Sequence, residues 1–272
     1  MKIKHFIIVR FLCSPNLGFG EKIFDKNFIE KNVNITFKYL IQSLNNQTNK
    51  NFEVIYLLNE KHDINFINKL FYKKIKQIDN FNINFIKRYE LKNYISNNIK
   101  GYDICITTRI DCDDLINCNA VADVQNLCIK QNFYPVILCG YNYGYRMYDD
   151  KRIYDAKYIY QNYRGFISIF ISAITYLDKN NNNFINIYDL GPHHDCGNNL
   201  KELYNKLNIS YKDCDIIHIL DNKNDKSFVY NRYNSSSSSI IQNINEKTTE
   251  HSEYIHNINK QKFKDLFGFD LK

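Results

Sequence analysis

The chain contains few residues that break regular structure, with nine glycines and three prolines among 272 residues. This scarcity excludes collagen-like and proline-rich architectures, which need far more of both. The eight cysteines form no C-x-x-C pair, so neither a zinc ribbon nor a thioredoxin-type motif is expected. Several cysteines lie inside apolar segments, where the residue behaves as a small buried hydrophobe. Free thiols favour a reducing compartment, and we expect a cytoplasmic protein.

Long hydrophobic runs are also missing. The longest apolar stretch, 165–177, carries hydroxyl residues and is shorter than the roughly 20 residues that a helix needs to cross a bilayer. The apolar run 6–9 near the N-terminus ends at Arg10 and is too short for a signal peptide. The sequence therefore predicts no transmembrane segment.

Positive charge is in modest excess and scattered, because 36 Lys and Arg stand against 29 Asp and Glu. The densest basic cluster, Lys73, Lys74 and Lys76, is typical of a solvated helix face. Nucleic-acid-binding proteins carry a more continuous basic stripe, so nucleic acid is not an expected partner. With 44% hydrophobic and 24% charged residues, the chain has a globular composition and enough length to bury a large core.

The first half of the chain alternates strand and helix patterns. Short runs rich in Ile, Val and Phe predict strands at 5–11, 52–58, 103–108 and 135–139, with a weaker one at 83–86. Apolar residues spaced by three and four predict helices at 28–44, 63–78 (with Asp63 as a possible N-cap) and 120–129. This order is typical of a Rossmann-like α/β fold with a mostly parallel central sheet flanked by helices.

The second half is less regular and predicts an α+β arrangement. We expect β-hairpins within 141–163, helices at 166–177 and 198–207, and strands at 185–190 and 215–220. The serine run 235–239 is typical of a flexible linker, and 253–267 predicts a final helix that docks loosely or binds something else. The predicted organisation is one domain at 1–234, with halves 1–139 and 140–234, followed by a linker and helical tail at 235–272.

An acidic cluster carries the strongest chemical signal, because an apolar strand runs directly into Asp111, Asp113 and Asp114. Carboxylates without partners are costly to bury, so we expect them at the exposed carboxyl end of the strand, where open α/β sheets bind ligands. Two carboxylates two residues apart can chelate a hard divalent cation, which can hold a diphosphate. The alternative is a polar loop that caps the helix at Ala120. The buried strand and the adjacent Arg109 favour the cation–phosphate site.

Two matches carry a resemblance to glycosyltransferases of the GT-A fold, which covers roughly residues 3 to 232. Residues 108–114 (TRIDCDD) resemble the T-R-x-D-x-D-D motif of a family of predicted rhamnosyltransferases. Residues 43–55 (SLNNQTNKNFEVI) resemble a helix–turn–strand of family-2-like enzymes, and Arg10-Phe11 fits an R-F pair at the end of the first strand. Residues 165–168 and the His218-to-Asn222 spacing match the same family more loosely, whereas 141–163 departs from it.

The resemblance implies a GT-A-like enzyme whose half 1–139 binds a nucleotide-diphosphate sugar and whose half 140–234 faces a glycan or protein acceptor. It implies Mn²⁺ or Mg²⁺ as the cofactor, with Asp113 and the late His218 as metal ligands. His218 could instead be a satisfied core histidine. The donor-binding residues would be Arg10, Arg109, Asp111 and Asp114.

The individual roles within this set stay open. Asp111 would reach the ribose or, through water, the metal ion, while Asp114 would support either role or cap the next helix. Arg109 would neutralise the carboxylates, approach phosphate or form a structural ion pair.

An inverting transfer needs a general base, since the acceptor hydroxyl loses its proton as it attacks. The candidates are Asp149, Asp150, Asp155 and Asp195, and the sequence does not choose among them. Asp195 is the first choice and Asp150 the second.

Two other functions use the same residues. The first is a catalytically inert GT-A-like module that binds a glycan or a protein. The second is a two-metal phosphotransferase or nuclease, which needs further carboxylates at neighbouring strand ends. Glu60 is the only obvious one, so the phosphotransferase or nuclease ranks low. An intact acceptor-side base would separate the glycosyltransferase, which is the first hypothesis, from the inert module, and the sequence does not identify that base.

Overall fold

The computed structural model describes residues 1–13, 20–74, 82–130, 134–141, 143–148, 153–157, 170–178, 183–192, 195–220, 226–232 and 258–271. The strands are β1 (Ile3–Arg10), β2 (Glu53–Leu58), β3 (Asn82–Lys87), β4 (Ile104–Asp111), β5 (Leu115–Ile116), β6 (Val136–Gly140), β7 (Tyr143–Tyr148), β8 (Ile153–Lys157), β9 (Ile171–Tyr176), β10 (Ile217–Ile219) and β11 (Phe228–Arg232). The helices are α1 (Lys26–Lys38), α2 (Leu40–Asn45), α3 (Ile64–Tyr72), α4 (Leu91–Asn98), α5 (Ala120–Lys130), α6 (Cys196–Lys206), α7 (Asp213–Ile216) and α8 (Lys260–Phe267). Short 3₁₀ turns span Gly20–Phe24 and Arg88–Glu90.

The central sheet has seven strands in the order β10-β6-β9-β4-β1-β2-β3. Neighbouring strands run parallel, apart from β9, which is antiparallel to both β4 and β6. Strands of such a sheet are buried on both faces, which explains why the central residues of β1 and β2 form continuous apolar runs. The predicted mostly parallel α/β sheet is therefore confirmed.

Helices cover both faces of this sheet, as predicted. On one face Ile7 and Val9 of β1 pack with buried residues of α1, α2, α3 and α5. On the other face Phe6 and Ile8 pack with buried residues of α4 and α6. No helix within the described ranges is both long and apolar enough to cross a membrane.

The helices of the first half lie close to their predicted positions. The helix predicted at 28–44 is divided into α1 and α2 at Tyr39, and Asp25 caps α1 by accepting from the backbone N–H of Phe28. Asp63 caps α3 as predicted, since its side chain accepts from the N–H groups of Asn65 and Phe66. The end of that predicted helix lies outside the described residues. Helix α4 was not predicted.

Two predictions for the second half are wrong. The helix predicted at 166–177 is strand β9 where it is described, because the β-branched run Ile171–Tyr176 is buried between β4 and β6. The strand predicted at 185–190 is a series of turns. There Asn186 accepts from the Tyr188 N–H at 2.8 Å, and Asp189 accepts from the Asn186 N–H at 3.1 Å. These local side-chain bonds compete with strand pairing.

A second sheet has the order β5-β11-β7-β8, and its β7–β8 pair is an antiparallel hairpin of the kind predicted within 141–163. Helix α8 packs on this sheet, burying Phe263 and Phe267 in a cluster with residues of β5, β7, β8 and β11. The Cys118 N–H also donates to the Leu266 carbonyl at 2.7 Å. The expectation of a loosely docked tail helix is therefore corrected, while the serine run 235–239 lies outside the described residues.

Candidate functional site

A cavity of about 310 Å³ lies at the carboxyl edge of the central sheet, beside the ends of β1, β2, β3 and β4. Its lining residues are Arg10, Cys13, Leu57, Arg88, Arg109, Tyr188, Gly191 and Pro192. The volume is at the lower end of the range for ligand pockets, about 300–1,000 Å³. Three arginines contribute to the wall, and no acidic side chain of the described residues does. The cavity is therefore electropositive.

Arg10 and Asp111 form the best-defined polar contact at this edge. They are register partners at the ends of the adjacent parallel strands β1 and β4, so their side chains share one face of the sheet. Arg10 Nε donates to Asp111 Oδ1 at 2.6 Å and Nη2 donates to Oδ2 at 2.5 Å. Burial acts to lower the pKa of Arg10, but the charge and hydrogen bonds of Asp111 outweigh it and raise that pKa. The pair is therefore ionised and bidentate.

Arg109 lies on the same face of β4 as Asp111, two residues earlier, and is only 6% exposed. Its guanidinium carbon is 5.5 Å from the centre of the Tyr188 ring. Burial lowers the pKa of Arg109, and the neighbouring charge of Arg10 lowers it further. Within the described residues its Nε has no hydrogen-bond partner, and no carboxylate forms a salt bridge with it. Arg109 is thus a buried cation whose charge the described protein groups compensate only in part.

Tyr188 forms the wall beside Arg109. Its hydroxyl is buried and finds no hydrogen-bond partner among the residues described. Burial raises the pKa of this phenol, so the hydroxyl stays protonated. The turn that carries Tyr188 is anchored to β4, because the N–H of Ile187 donates to Thr107 Oγ1 at 2.9 Å. The turns found at 185–190, where a strand was predicted, thus position the Tyr188 side chain at the cavity.

Arg88 supplies the third cation and was missed by the sequence analysis. It begins the 3₁₀ turn directly after β3, and its side chain is exposed. Burial raises the pKa of the nearby Cys13 thiol, while the charges of Arg10 and Arg88 oppose that rise. The weak strand pattern at 83–86 was the only signal that a strand, and therefore a strand end, preceded this arginine.

The other two acids of the cluster lie in or beside the turn between β4 and β5. Asp113 is partly exposed, whereas Asp114 is fully buried, with its N–H 3.4 Å from the Asp111 carbonyl. Burial raises the pKa of the Cys112 thiol, and the carboxylates of Asp113, Asp111 and Asp114 raise it further. Neither Asp113 nor Asp114 contributes to the described cavity wall.

The structure places His218 on a strand that is not a neighbour of β4, the strand that precedes Asp113. His218 lies on the edge strand β10, which three strand spacings, about 14 Å, separate from β4. Its Nε2 lies 3.0 Å from the backbone carbonyl of Asp215, and burial lowers its pKa. The separation arises because β9, predicted as a helix, is inserted between β6 and β4.

The residues expected to hold Mn²⁺ or Mg²⁺ therefore do not fit that ion as a set. Both carboxylate oxygens of Asp111 are bonded to Arg10, and His218 Nε2 lies at the backbone carbonyl of Asp215 on a strand that is not a neighbour of β4. Over the described parts of the chain, no group of three or more His, Cys, Asp or Glu is arranged to hold a metal ion.

Asp195 and Asp150 are the two preferred candidates for the general base, and of these Asp195 lies in the described part of the chain. Asp195 precedes α6, and its N–H donates to the carbonyl of Pro192, a cavity residue, at 2.9 Å. Its side chain makes no capping hydrogen bond to the helix. Asp150 and Asp149 lie outside the described residues, and the side chain of Asp155 is likewise not described. Asp195 is thus three residues after Pro192, a residue of the cavity wall. The identity of the general base stays a prediction.

Comparison with known proteins gives structural likenesses only. No protein-family model matches the chain, and no curated protein matches it. Similar solved structures include a candidate nucleotide-diphospho-sugar transferase from Desulfovibrio desulfuricans G20, with 9% identity, a TM-score of 0.41, and coverage of 92% of this chain and 90% of the other.

Two further likenesses are weaker. Residues 1–349 of TarS from S. aureus match at 13% identity and a TM-score of 0.38, over 85% of this chain and 60% of that one. A cytidylyltransferase from Leptospira borgpetersenii serovar Hardjo-bovis matches at 12% identity and a TM-score of 0.34, over 87% and 78%. Because these TM-scores are low, the likenesses support no conclusion about the activity of this chain.

Proposed function

We propose that this protein transfers a sugar from a nucleotide-diphosphate sugar to a hydroxyl group of a glycan or protein acceptor. The observation that carries the proposal is the cavity at the carboxyl edge of the central sheet, lined by Arg10, Arg88 and Arg109. Open α/β sheets bind ligands at this edge, and the excess of guanidinium groups over carboxylates selects for an anion. The resemblance of residues 108–114 to a GT-A motif supports a sugar donor as that anion.

The cavity also has surface for the uncharged parts of such a donor. Leu57 and the Tyr188 ring offer apolar and aromatic surface, on which a base or a sugar can stack. Gly191 and Pro192 form the part of the wall next to Asp195, whose backbone N–H donates to the Pro192 carbonyl. The donor would therefore lie across the strand ends, and the acceptor would approach over the start of α6.

In the reaction, the acceptor oxygen attacks the anomeric carbon of the sugar and forms the new glycosidic bond. The bond between that carbon and the oxygen of the β-phosphate breaks, and the nucleoside diphosphate leaves with the electron pair. The acceptor proton passes to a carboxylate, for which Asp195 is the first candidate and Asp150 the second. The arginine side chains stabilise the charge that develops on the departing diphosphate.

A panel of nucleotide-diphosphate sugars tests this proposal by scoring released nucleoside diphosphate, since hydrolysis reports donor cleavage without a known acceptor. We expect release from at least one donor and a loss of at least tenfold in Arg109→Gln. Lys206→Gln is the matched control, because it removes an exposed charge of α6 outside the cavity. Absence of release from every donor, with no nucleotide raising the melting temperature, would contradict the proposal. Binding without release would indicate an inert binding module.

A further inference from the structure

We infer that the cavity neutralises the diphosphate of its donor with Arg109 and Arg88, and that it needs no divalent cation to do so. The inference rests on the proposed function and departs from the Mn²⁺ or Mg²⁺ that the sequence resemblance implies. Three observations carry it: the ion pair of Asp111 with Arg10, the only partly compensated charge of Arg109, and the position of Arg88.

Asp111 is a positioning residue for Arg10. The two charge-assisted hydrogen bonds, at 2.6 and 2.5 Å, join both of its oxygens to one guanidinium group. A cation placed directly on these oxygens would break the fork and leave Arg10, whose side chain is 21% exposed, beside a second positive charge. Separating a partly buried ion pair is unfavourable because the remaining charge is poorly solvated. The fork therefore disfavours Asp111 as a direct metal ligand, because the cation would lie beside the guanidinium of Arg10.

The described groups compensate the buried charge of Arg109 only in part, because burial and the charge of Arg10 lower its pKa while Tyr188 and Asp111 raise it. Arg109 is 6% exposed, and in the described part of the chain it has a ring face beside it and no salt bridge. Desolvating a charge without a partner is costly, so this arrangement is stable when an anion occupies the cavity. The Tyr188 hydroxyl, which also lacks a described partner, belongs to the same wall. A phosphate bound in the cavity would contact the guanidinium group of Arg109 and accept a hydrogen bond from the Tyr188 hydroxyl.

Arg88 completes the charge balance. The three arginines of the wall, set against Asp111, leave an excess of two positive charges at the cavity. The diphosphate of a nucleotide sugar carries two negative charges, so it matches this excess. When the bond from the anomeric carbon to the β-phosphate oxygen breaks, the electron pair stays on the diphosphate, and the same two guanidinium groups stabilise the added charge. The acceptor proton goes to the carboxylate base, so the step requires no further reactant.

Calorimetric titration with inorganic diphosphate and with the diphosphates of uridine, guanosine, cytidine and thymidine tests the inference. Each titration is run in EDTA and again with Mg²⁺ or Mn²⁺. We expect at least one probe to bind in EDTA with a Kd within threefold of that in the presence of a cation. Arg109→Gln and Arg88→Gln should each weaken this binding at least tenfold, and Lys206→Gln should leave it unchanged. Arg88 is exposed, so its variant stays informative should the Arg109 variant fail to fold.

Binding that disappears in EDTA and returns with a cation would overturn the inference, as would unchanged binding in both arginine variants. Failure of every probe to bind under either condition would also overturn it. Measuring donor turnover distinguishes a failure of the inference from a failure of the proposed function. Sugar release that EDTA abolishes contradicts only the inference, whereas cation-free diphosphate binding that Arg109→Gln removes, without turnover of any donor, contradicts only the proposed function.

Discussion

The guanidinium group of Arg10 holds both carboxylate oxygens of Asp111 across the parallel strands β1 and β4. The two residues are 101 positions apart in the chain, yet they are register partners, so the contact forms only when the sheet has this order. It joins the first residue of the R-F pair to the first acid of the cluster. The order of the strands thus brings Asp111 to Arg10 and positions Arg10 in the cavity wall.

Replacing Asp111 with Asn should destabilise the fold by about 2 kcal/mol, because a charge-assisted bond is lost and Arg10 keeps its charge. Asp213→Asn is the control, since its ion pair with Lys201 involves a carboxylate that is 39% exposed and should contribute less than about 1 kcal/mol. Urea denaturation at pH 7 measures both free energies of unfolding. Equal losses in the two variants would show that the fork contributes no more than a surface pair.

His218→Gln should leave donor turnover within about twofold of the unmodified protein. His218 lies on β10, which β6 and β9 separate from β4, and its Nε2 is 3.0 Å from the backbone carbonyl of Asp215. Steady-state release of nucleoside diphosphate, measured with and without Mn²⁺, checks this expectation. A loss of turnover that excess Mn²⁺ restores would instead support the metal role predicted from the sequence.

The stability of the fold should fall by about 2 kcal/mol when the pH is lowered from 7.5 to 5, through His5 alone. Burial lowers the pKa of His5 from 6.5 to about 3, so the folded state keeps the ring neutral while the unfolded state takes up a proton. The stabilisation of the folded state by His5 is complete above pH 6.5 and is lost as the pH falls towards 3. The ring lies 2.7 Å from Thr108 Oγ1 and accepts or donates there according to its tautomer.

His5→Gln isolates this contribution, because other groups that titrate in the same range are retained in the variant. Denaturant melts at pH 7.5 and pH 5 should show a smaller loss for His5→Gln than for the unmodified protein. An identical loss in both would mean that His5 is not protonated differently in the folded and unfolded states.

Gly268→Ala should detach helix α8 from the domain. Gly268 has a φ of +67°, and a Cβ placed there would lie 2.7 Å from Asn46 Cβ and 2.9 Å from the Gln42 carbonyl. The left-handed conformation costs about 1 kcal/mol for a residue with a side chain, and the contact with α2 adds to that cost. Gly101→Ala is the control, because Gly101 also has a positive φ, +79°, but meets nothing within 4 Å.

Denaturation midpoints should fall further for Gly268→Ala than for Gly101→Ala, and limited proteolysis should cleave near α8 only in the former. Comparable midpoints in the two variants would show that the contact with α2 relaxes without cost.

The positions of β1, β2, β4 and β6 could be predicted from the sequence because each is a short run of apolar residues buried in the sheet. Arg10, Arg109 and Asp111 could be placed at the ligand edge for the same reason, since they stand at the ends of such runs. The runs at 166–177 and 185–190 were misassigned because a short apolar run fits a buried helix as well as a strand, and because Asn186 and Asp189 form turns locally.

Residue pairing across the sheet was harder to predict. The distance of His218 from Asp113 depends on the insertion of β9 between β6 and β4, which no local pattern encodes. Arg88 follows β3, whose residues are only partly buried, so a single arginine after a weak pattern gave no signal. The first case depends on strand order, a property of the whole chain, and the second on a weak local pattern.

A structure of the protein bound to a nucleoside diphosphate, prepared in EDTA, tests the central claim most directly. We predict that the β-phosphate contacts Arg109 and Arg88 while Asp111 stays paired with Arg10. A diphosphate bound away from these two arginines, or binding that occurs only through a cation held by Asp111 and Asp113, would contradict the account.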